Sequence, residues 1–492
     1  MPRCPGLLAF GLILGSLGFA RAQEPRTSDR QEGLRLLKQG DELADAGKTT
    51  EAVIRYKEGF EQILPGLRRI PFRHEVKRDV TAREDMPARL LKDFEEDTTP
   101  EELRAGELGM KALGFFPRAF DYKATMIDVL SEEIAAFYDP RTKTMHLIRE
   151  PEAKDRGKEK GEAGGDAGKP NLLERLLGKP TGFDKDENKT VIAHELTHAL
   201  ADQNYDLDRL LNGVKNDDDR QLAAQALIEG EATLAMLATQ AEDWDGSATA
   251  RFPARQLEFT FNLMMPLLPM GSSKALQDAP ALIKESLLFP YLKGVIYCVR
   301  ATNKGGWEAL DALYKNPPLS TEQILHPDKA GDNPDLPVAI DLGELKPGEG
   351  WTELGRNVVG EFQLGVLLRK HEGRKAAAGW DGDQYVIFES KGGDLGLVWL
   401  TTWDSEDDAR EFAGSYARFQ GTKIDPENSP DVADPVPARL IRNRRTDSVA
   451  IERRGLDVAV VEGFDRPTTE ALLERAFVAR KAEKVNAPRP TE

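Results

Sequence analysis

At 492 residues the chain has room for two to four domains. With 40% hydrophobic and 31% charged residues it is neither wholly disordered nor a polytopic membrane protein. Acidic residues outnumber basic ones, 84 to 67, for a formal net charge of −17. A surface of that sign repels phosphate backbones, so no nucleic-acid partner is expected.

The first 22 residues have the form of a secretory leader. Arg3 is the basic start, Leu7 to Ala20 is an apolar run too short for a comfortable membrane span, and Ala20-Arg21-Ala22 offers a cleavage site before Gln23. The expectation is an exported protein, periplasmic or extracellular, with no stable membrane span after leader removal. Only Cys298 then remains, which makes no internal disulfide. Residues 23–70 read as a helical hairpin around Ala46-Gly47-Lys48, with Thr49 or Thr50 capping the second helix. It resembles one tetratricopeptide unit, and a single unit must pack on something larger.

A strand at 72–81 and helices at 86–96, 99–113 and 121–135 follow. FYDPRTKTMHLI then reads as strand, Asp139-Pro140 turn and strand. Residues 151–170 are Lys, Glu, Gly and Asp with almost no apolar side chains, the composition of a disordered insertion. Two long helices between Asp186 and Met236 flank an acidic loop at 206–219, and 251–315 is again mainly helical. Residues 328–350, rich in Pro, Gly and Asp, read as a linker. Beyond it the pattern is a helix at 352–370, strands at 384–389 and 395–401, a helix at 405–418, two or three strands between 438 and 462, and a helix at 467–483. This β-β-α order occurs twice, as in a duplicated ferredoxin-like module. No catalytic set of His, Cys or acidic residues converges in it. The expected division is a leader (1–22), a hairpin (23–70), a main domain (71–345) and a separable, non-catalytic α/β module (350–486), α+β in class.

The strongest chemical signal is His194-Glu195-Leu196-Thr197-His198 inside TVIAHELTHALADQ. Four residues are just over one helical turn, so both imidazoles project from one face and their nitrogens can meet one Zn²⁺. Glu195, next to the first histidine, is placed to act on a water at the metal as general base. A catalytic zinc needs a third protein ligand and an open position. No histidine follows His198 in ALADQNYDLDRL, so a carboxylate from another helix is required. ALIEGEATLAM offers Glu229 and Glu231 in an apolar helix, where a buried carboxylate needs a charge or metal partner. Gly230 between them would remove a side chain where helix and metal approach closely.

HExxH followed by a Glu on a later helix resembles the gluzincin group of zinc metallopeptidases. The ligand Glu there often stands in E-x-x-A, which Glu229-Gly230-Glu231-Ala232 matches with Glu229 as ligand and Glu231 beside the site. FYDPRTKTMHLI, AHELTHALADQNYDL, ALIEGEATLAM, FPYLKG and PPLSTEQILHP together resemble a group of exported bacterial metallopeptidases of this type over about 70 to 330. The resemblance implies a mainly helical zincin-like domain with a small edge sheet, one Zn²⁺ per chain, and a peptide or protein as substrate. It also implies an edge strand, here FYDPRTKTMHLI, that pairs with extended substrate. Asp202, one turn beyond His198, is a candidate to orient an imidazole. Tyr291 in FPYLKG and His326 in STEQILHP are candidate oxyanion donors. His74, His146 and His371 lack a partner pattern and read as structural or exposed. The expected activity is hydrolysis of peptide bonds by a water that Glu195 activates. The alternative is a non-catalytic binding or scaffold protein in which zinc staples two helices.

Overall fold

The computed structural model describes residues 27–149, 185–264, 273–330, 334–424, 436–444 and 447–486. The leader and the acidic-basic insertion at 151–170 lie outside them. No helix among the described residues is long and apolar enough to cross a membrane.

The chain is α+β, with helices gathered in its first two thirds and most strands in the last. The amino-terminal hairpin pairs helices Thr27–Asp45 and Thr49–Arg68. The second starts at Thr49 without a side-chain cap, so neither threonine plays that role. Its Ala52, Tyr56, Phe60, Ile63, Leu64 and Leu67 pack into the main core with Ile192, Leu196 and Leu200. A lone hairpin cannot bury such a face; here the helix Lys185–Tyr205 covers it.

That helix is buried on nearly every side from Ile192 to Asp202. It is flanked by the helix Asp218–Gln240, by the hairpin, and by a three-stranded sheet of β1 (Lys77–Ala82), β2 (Ala136–Asp139) and β3 (Thr144–Arg149). The order is β1-β3-β2, so β2 is an edge strand, antiparallel to β3. The acidic loop at 206–219 contains a short helix, Leu207–Asn212, capped by Asp206.

The carboxy-terminal third departs from several expectations. The linker contributes β4 (Val338–Asp341), and its Ile340, Leu342 and Leu345 are buried. Instead of one helix over 352–370 there is β5 (Trp351–Asn357), then a helix Gly360–Leu367. Gly360, at φ +76°, makes the break between them. β6 (Trp380–Ser390), β7 (Leu395–Trp403), β8 (Arg439–Asn443), β9 (Ser448–Arg454) and β10 (Asp457–Phe464) complete a six-stranded antiparallel sheet ordered β5-β6-β7-β10-β9-β8. The last helix ends at Ala476, and β11 (Arg480–Glu483) returns to pair with β4, so the helix expected over 467–483 stops halfway.

Alternate residues of the strands face opposite cores. Tyr385, Leu397, Trp399 and Val460 meet Phe412 and Tyr416 of the helix Glu406–Ile424. Val386, Val398, Leu400 and Val461 meet Leu472 and Leu473 of the helix Arg466–Ala476. The two β-β-α passages thus place their helices on opposite faces of one sheet, a layered arrangement unlike a β-α-β-β-α-β ferredoxin unit. Leu113, from the helix Pro100–Leu113, enters the first of these cores. Phe362 of the Gly360–Leu367 helix packs on Phe289, ring centres 4.2 Å apart. Main domain and sheet module therefore share packing.

Candidate metal centre

Helical spacing puts His194 and His198 on one face of the central helix, and tertiary packing brings Glu229 to it. The two Nε2 atoms are 3.0 Å apart. The Glu229 Oε2 atom lies 3.1 Å from the first and 3.4 Å from the second. Four ligands at 2.0–2.1 Å around a tetrahedral ion stand about 3.3 Å from one another. The three separations form one face of such a tetrahedron, so the donor set fits a zinc-sized cation. Among the described residues these three make up the set of His, Cys and acidic side chains that converges in this way.

The electrostatics agree with a site made for positive charge. Burial opposes charging of His198, but Glu229 beside it wins and pushes the imidazole up to about 9. Burial would raise Glu229, yet the two imidazoles hold it far below the carboxylate range. Glu195 is shifted the other way: burial raises its carboxyl, with Glu229 adding to the effect, against the two imidazoles and a hydrogen bond from the Tyr138 backbone N–H.

Each remaining candidate has a definite place. Tyr291 is part of the site: its ring lies 6.0 Å from that of His194, nearly parallel, and its phenol feels the Glu229 carboxylate. Burial and then the Glu229 and Glu195 charges keep that phenol well above its ordinary pKa. Glu231 points to the other side of its helix. It accepts from the buried Arg68 guanidinium and from the Tyr314 hydroxyl, in a network that Arg68 extends to the Trp307 carbonyl (3.0 Å) and Asp311 (3.1 Å). It ties three helices together and leaves the metal face to Glu229.

Asp202 does not orient an imidazole. Its carboxylate accepts from the Tyr138 hydroxyl (2.7 Å), Lys143 (2.9 Å) and the Leu207 N–H (3.0 Å). Tyr138 thus grips the central helix twice, at Glu195 through its backbone and two turns on at Asp202 through its side chain, which fixes the edge strand beside the site. His326 is apart from the centre, bonded to Glu361 at 2.7 Å. His146 stacks on Phe137 and meets Arg89, His371 approaches Thr422, and His74 is exposed, as structural or surface residues do.

Gly230 has a different reason from the one expected. A Cβ there would stand 2.2 Å from the Gly294 backbone, and one on Gly294 would stand 1.9 Å from the Ala226 carbonyl. The glycines let the helices Asp218–Gln240 and Ala281–Gly305 cross in backbone contact. Tyr291 lies one turn before that crossing, which brings it over Glu229. FPYLKG carries this signal in sequence, through the pairing of its Tyr with a Gly three residues on.

A cavity of about 120 Å³ opens beside the centre, lined by His194, Glu195, Tyr291, Glu133, Ala136 and apolar side chains. The Ile148 N–H donates to the Ala135 carbonyl (3.0 Å), so odd-numbered residues of β2 face β3. Ala136 and Tyr138 turn their backbone groups away from β3; the Tyr138 N–H is on Glu195, and Ala136 borders the cavity.

A family model described as Domain of unknown function (DUF8575) matches residues 349–474, from the start of β5 almost to the end of the last helix. That span contains none of the residues of the metal centre. No curated protein and no solved structure matches the chain.

Proposed function

We propose that the chain is a zinc-dependent peptidase, with His194, His198 and Glu229 as ligands and Glu195 as general base. The observation that carries this is the triangle of donor atoms at 3.0–3.4 Å with a buried carboxylate beside it. A structural zinc staple has no use for Glu195. A zinc ion bound there would polarise a peptide carbonyl and make water acidic enough to serve as nucleophile near neutral pH.

The chain's own residues do the rest. Glu195, neutral more readily than an exposed carboxyl, takes a proton from the attacking water and returns it to the leaving amine nitrogen. The Tyr138 N–H aims the Glu195 carboxylate. The Tyr291 hydroxyl, protonated throughout, is a donor within reach of the developing oxyanion. The outward N–H and C=O of Ala136 accept an extended peptide as an added strand, which gives binding through the main chain. The helix-lined pocket keeps bulk water from the reacting atoms. Export to the periplasm or beyond completes the reading.

The test is metal analysis together with hydrolysis of a broad peptide library, with and without chelator. Wild type should hold one zinc and cleave. His198→Ala should lose the zinc, whereas Glu231→Ala should keep it and lose stability instead. A full equivalent of zinc in His198→Ala, or a metal-replete wild type that cleaves nothing, removes the proposal.

A further inference from the structure

We infer that Glu133 makes the cavity beside the metal centre a pocket for a lysine or arginine side chain, on the residue whose amine leaves when the peptide bond is cut. The inference rests on the peptidase reading and deepens it.

Glu133 ends the helix Tyr122–Glu133, three residues before β2 begins. It is 8% exposed and lines the same cavity as His194, Glu195 and Tyr291. One carboxylate oxygen accepts from the Ser273 N–H at 2.7 Å. The other, Oε2, is shielded from solvent and has no hydrogen-bond partner among the described residues. Among the described residues no lysine or arginine lines the cavity. A buried carboxylate oxygen with an open valence is costly unless a donor reaches it, and a cation is the partner that offsets most. Leu130, Val191, Leu276, Leu287 and Leu288 form the other walls. Aliphatic walls with one carboxylate set apart from Glu195 suit a methylene stem that carries an ammonium or guanidinium. An apolar residue entering here would leave Oε2 unpaired, and an acidic one would meet like charge.

The strand direction says which substrate residue enters. Tyr138 stands at Glu195, where the scissile carbonyl must lie, and Ala136 and Glu133 precede it in the chain. A peptide antiparallel to β2 runs the opposite way, so its residues after the scissile bond lie toward Ala136 and Glu133. The basic residue therefore follows the cut. A free amino terminus would lie on the other side of the scissile bond.

Cleavage sites in a mixed peptide library, read by mass spectrometry, test this directly. Wild type should favour Lys or Arg over Leu immediately after the cut by roughly tenfold or more, with Asp and Glu excluded. In Glu133→Gln, which keeps the Ser273 hydrogen bond, the ratio of Lys to Leu should fall to about one. A ratio unchanged by the substitution, or a basic preference before the cut, overturns the inference. Faster cleavage of unblocked than of amino-acetylated peptides, with no side-chain preference, would assign Glu133 to a terminal ammonium and overturn it equally. A second arm does not need turnover. n-Butylammonium should bind the zinc-loaded wild type by calorimetry, n-butanol should not, and Glu133→Gln should weaken the ammonium roughly tenfold or more. Ammonium binding that depends on Glu133 in a protein that hydrolyses nothing would remove the peptidase reading and keep the cation pocket. Hydrolysis without such binding would do the reverse.

Discussion

Asp383 in the carboxy-terminal sheet and Glu195 on the central helix are both buried carboxylates, held in opposite ways. Asp383 sits in a cage of four N–H donors, from the Val359 and Gly360 backbone and the Trp380 and Trp399 indoles, at 2.9–3.2 Å. Burial pushes its carboxyl up, and the four donors oppose that. Glu195 has one backbone donor and otherwise faces a cavity. Buried polar groups with every partner supplied hold a fold together; those with capacity to spare are available to something that comes and goes. Asp383 has its valences filled, whereas the cavity beside Glu195 keeps an open carboxylate oxygen at Glu133.

Glu195→Gln separates the two roles most sharply. Hydrolysis should fall by about 10²–10⁴-fold while zinc content and melting temperature stay close to wild type, because the amide still accepts the Tyr138 N–H. Turnover near wild type in zinc-replete variant would mean that Glu195 is no base. Asp383→Ala should do the opposite. It strands four buried donors and should cost about 3–5 kcal/mol in urea unfolding, with zinc stoichiometry retained in whatever protein folds. A loss below about 1 kcal/mol would show that water replaces the carboxylate and that the cage is not a stabilising device.

Gly230→Ala tests the coupling of packing to chemistry. The added methyl collides with the Gly294 backbone, so the two helices must part. A cost of about 1–3 kcal/mol is expected, with weakened zinc binding as Tyr291 and Glu229 shift together. Stability lost with metal affinity intact would confine the glycine pair to packing.

The smallest expected effect lies at the join between the two regions. Asp219, at the start of the Glu229 helix, is pushed up to about 8 by burial; Asp217 adds to this, against Lys484 and hydrogen bonds from Thr321. An acid whose folded pKa is raised keeps its proton in the native state while the unfolded chain has lost it. Stability therefore falls as pH rises between about 4 and 8. Asp219→Asn removes that loss. Relative to wild type, the variant should gain stability between pH 5 and pH 8.5, read as the shift in urea midpoint. A difference between the two proteins that does not change with pH would place the titration elsewhere.

The sequence by itself determined what depends on local spacing. A spacing of four residues, just over one turn, placed His194 and His198 together, the Asp139-Pro140 turn made the β2–β3 hairpin, and Asp465 capped the last helix. It also narrowed the candidate third ligand to two residues of one helix. Glu229 and Glu231 are about 200° apart around the helix axis, so they cannot both face the histidines. Tertiary structure decided which of them faces the histidines, by giving Glu231 to Arg68 from the amino-terminal hairpin and by pressing the Gly294 helix against Gly230. Asp202 and Tyr138, 64 positions apart, had no local signal that they would meet. The same holds for β4 with β11, whose short strands, VAID and RKAE, read as linker and helix until their pairing supplies the hydrogen bonds. Local spacing fixes the face a side chain occupies, but only long-range packing fixes what that face meets.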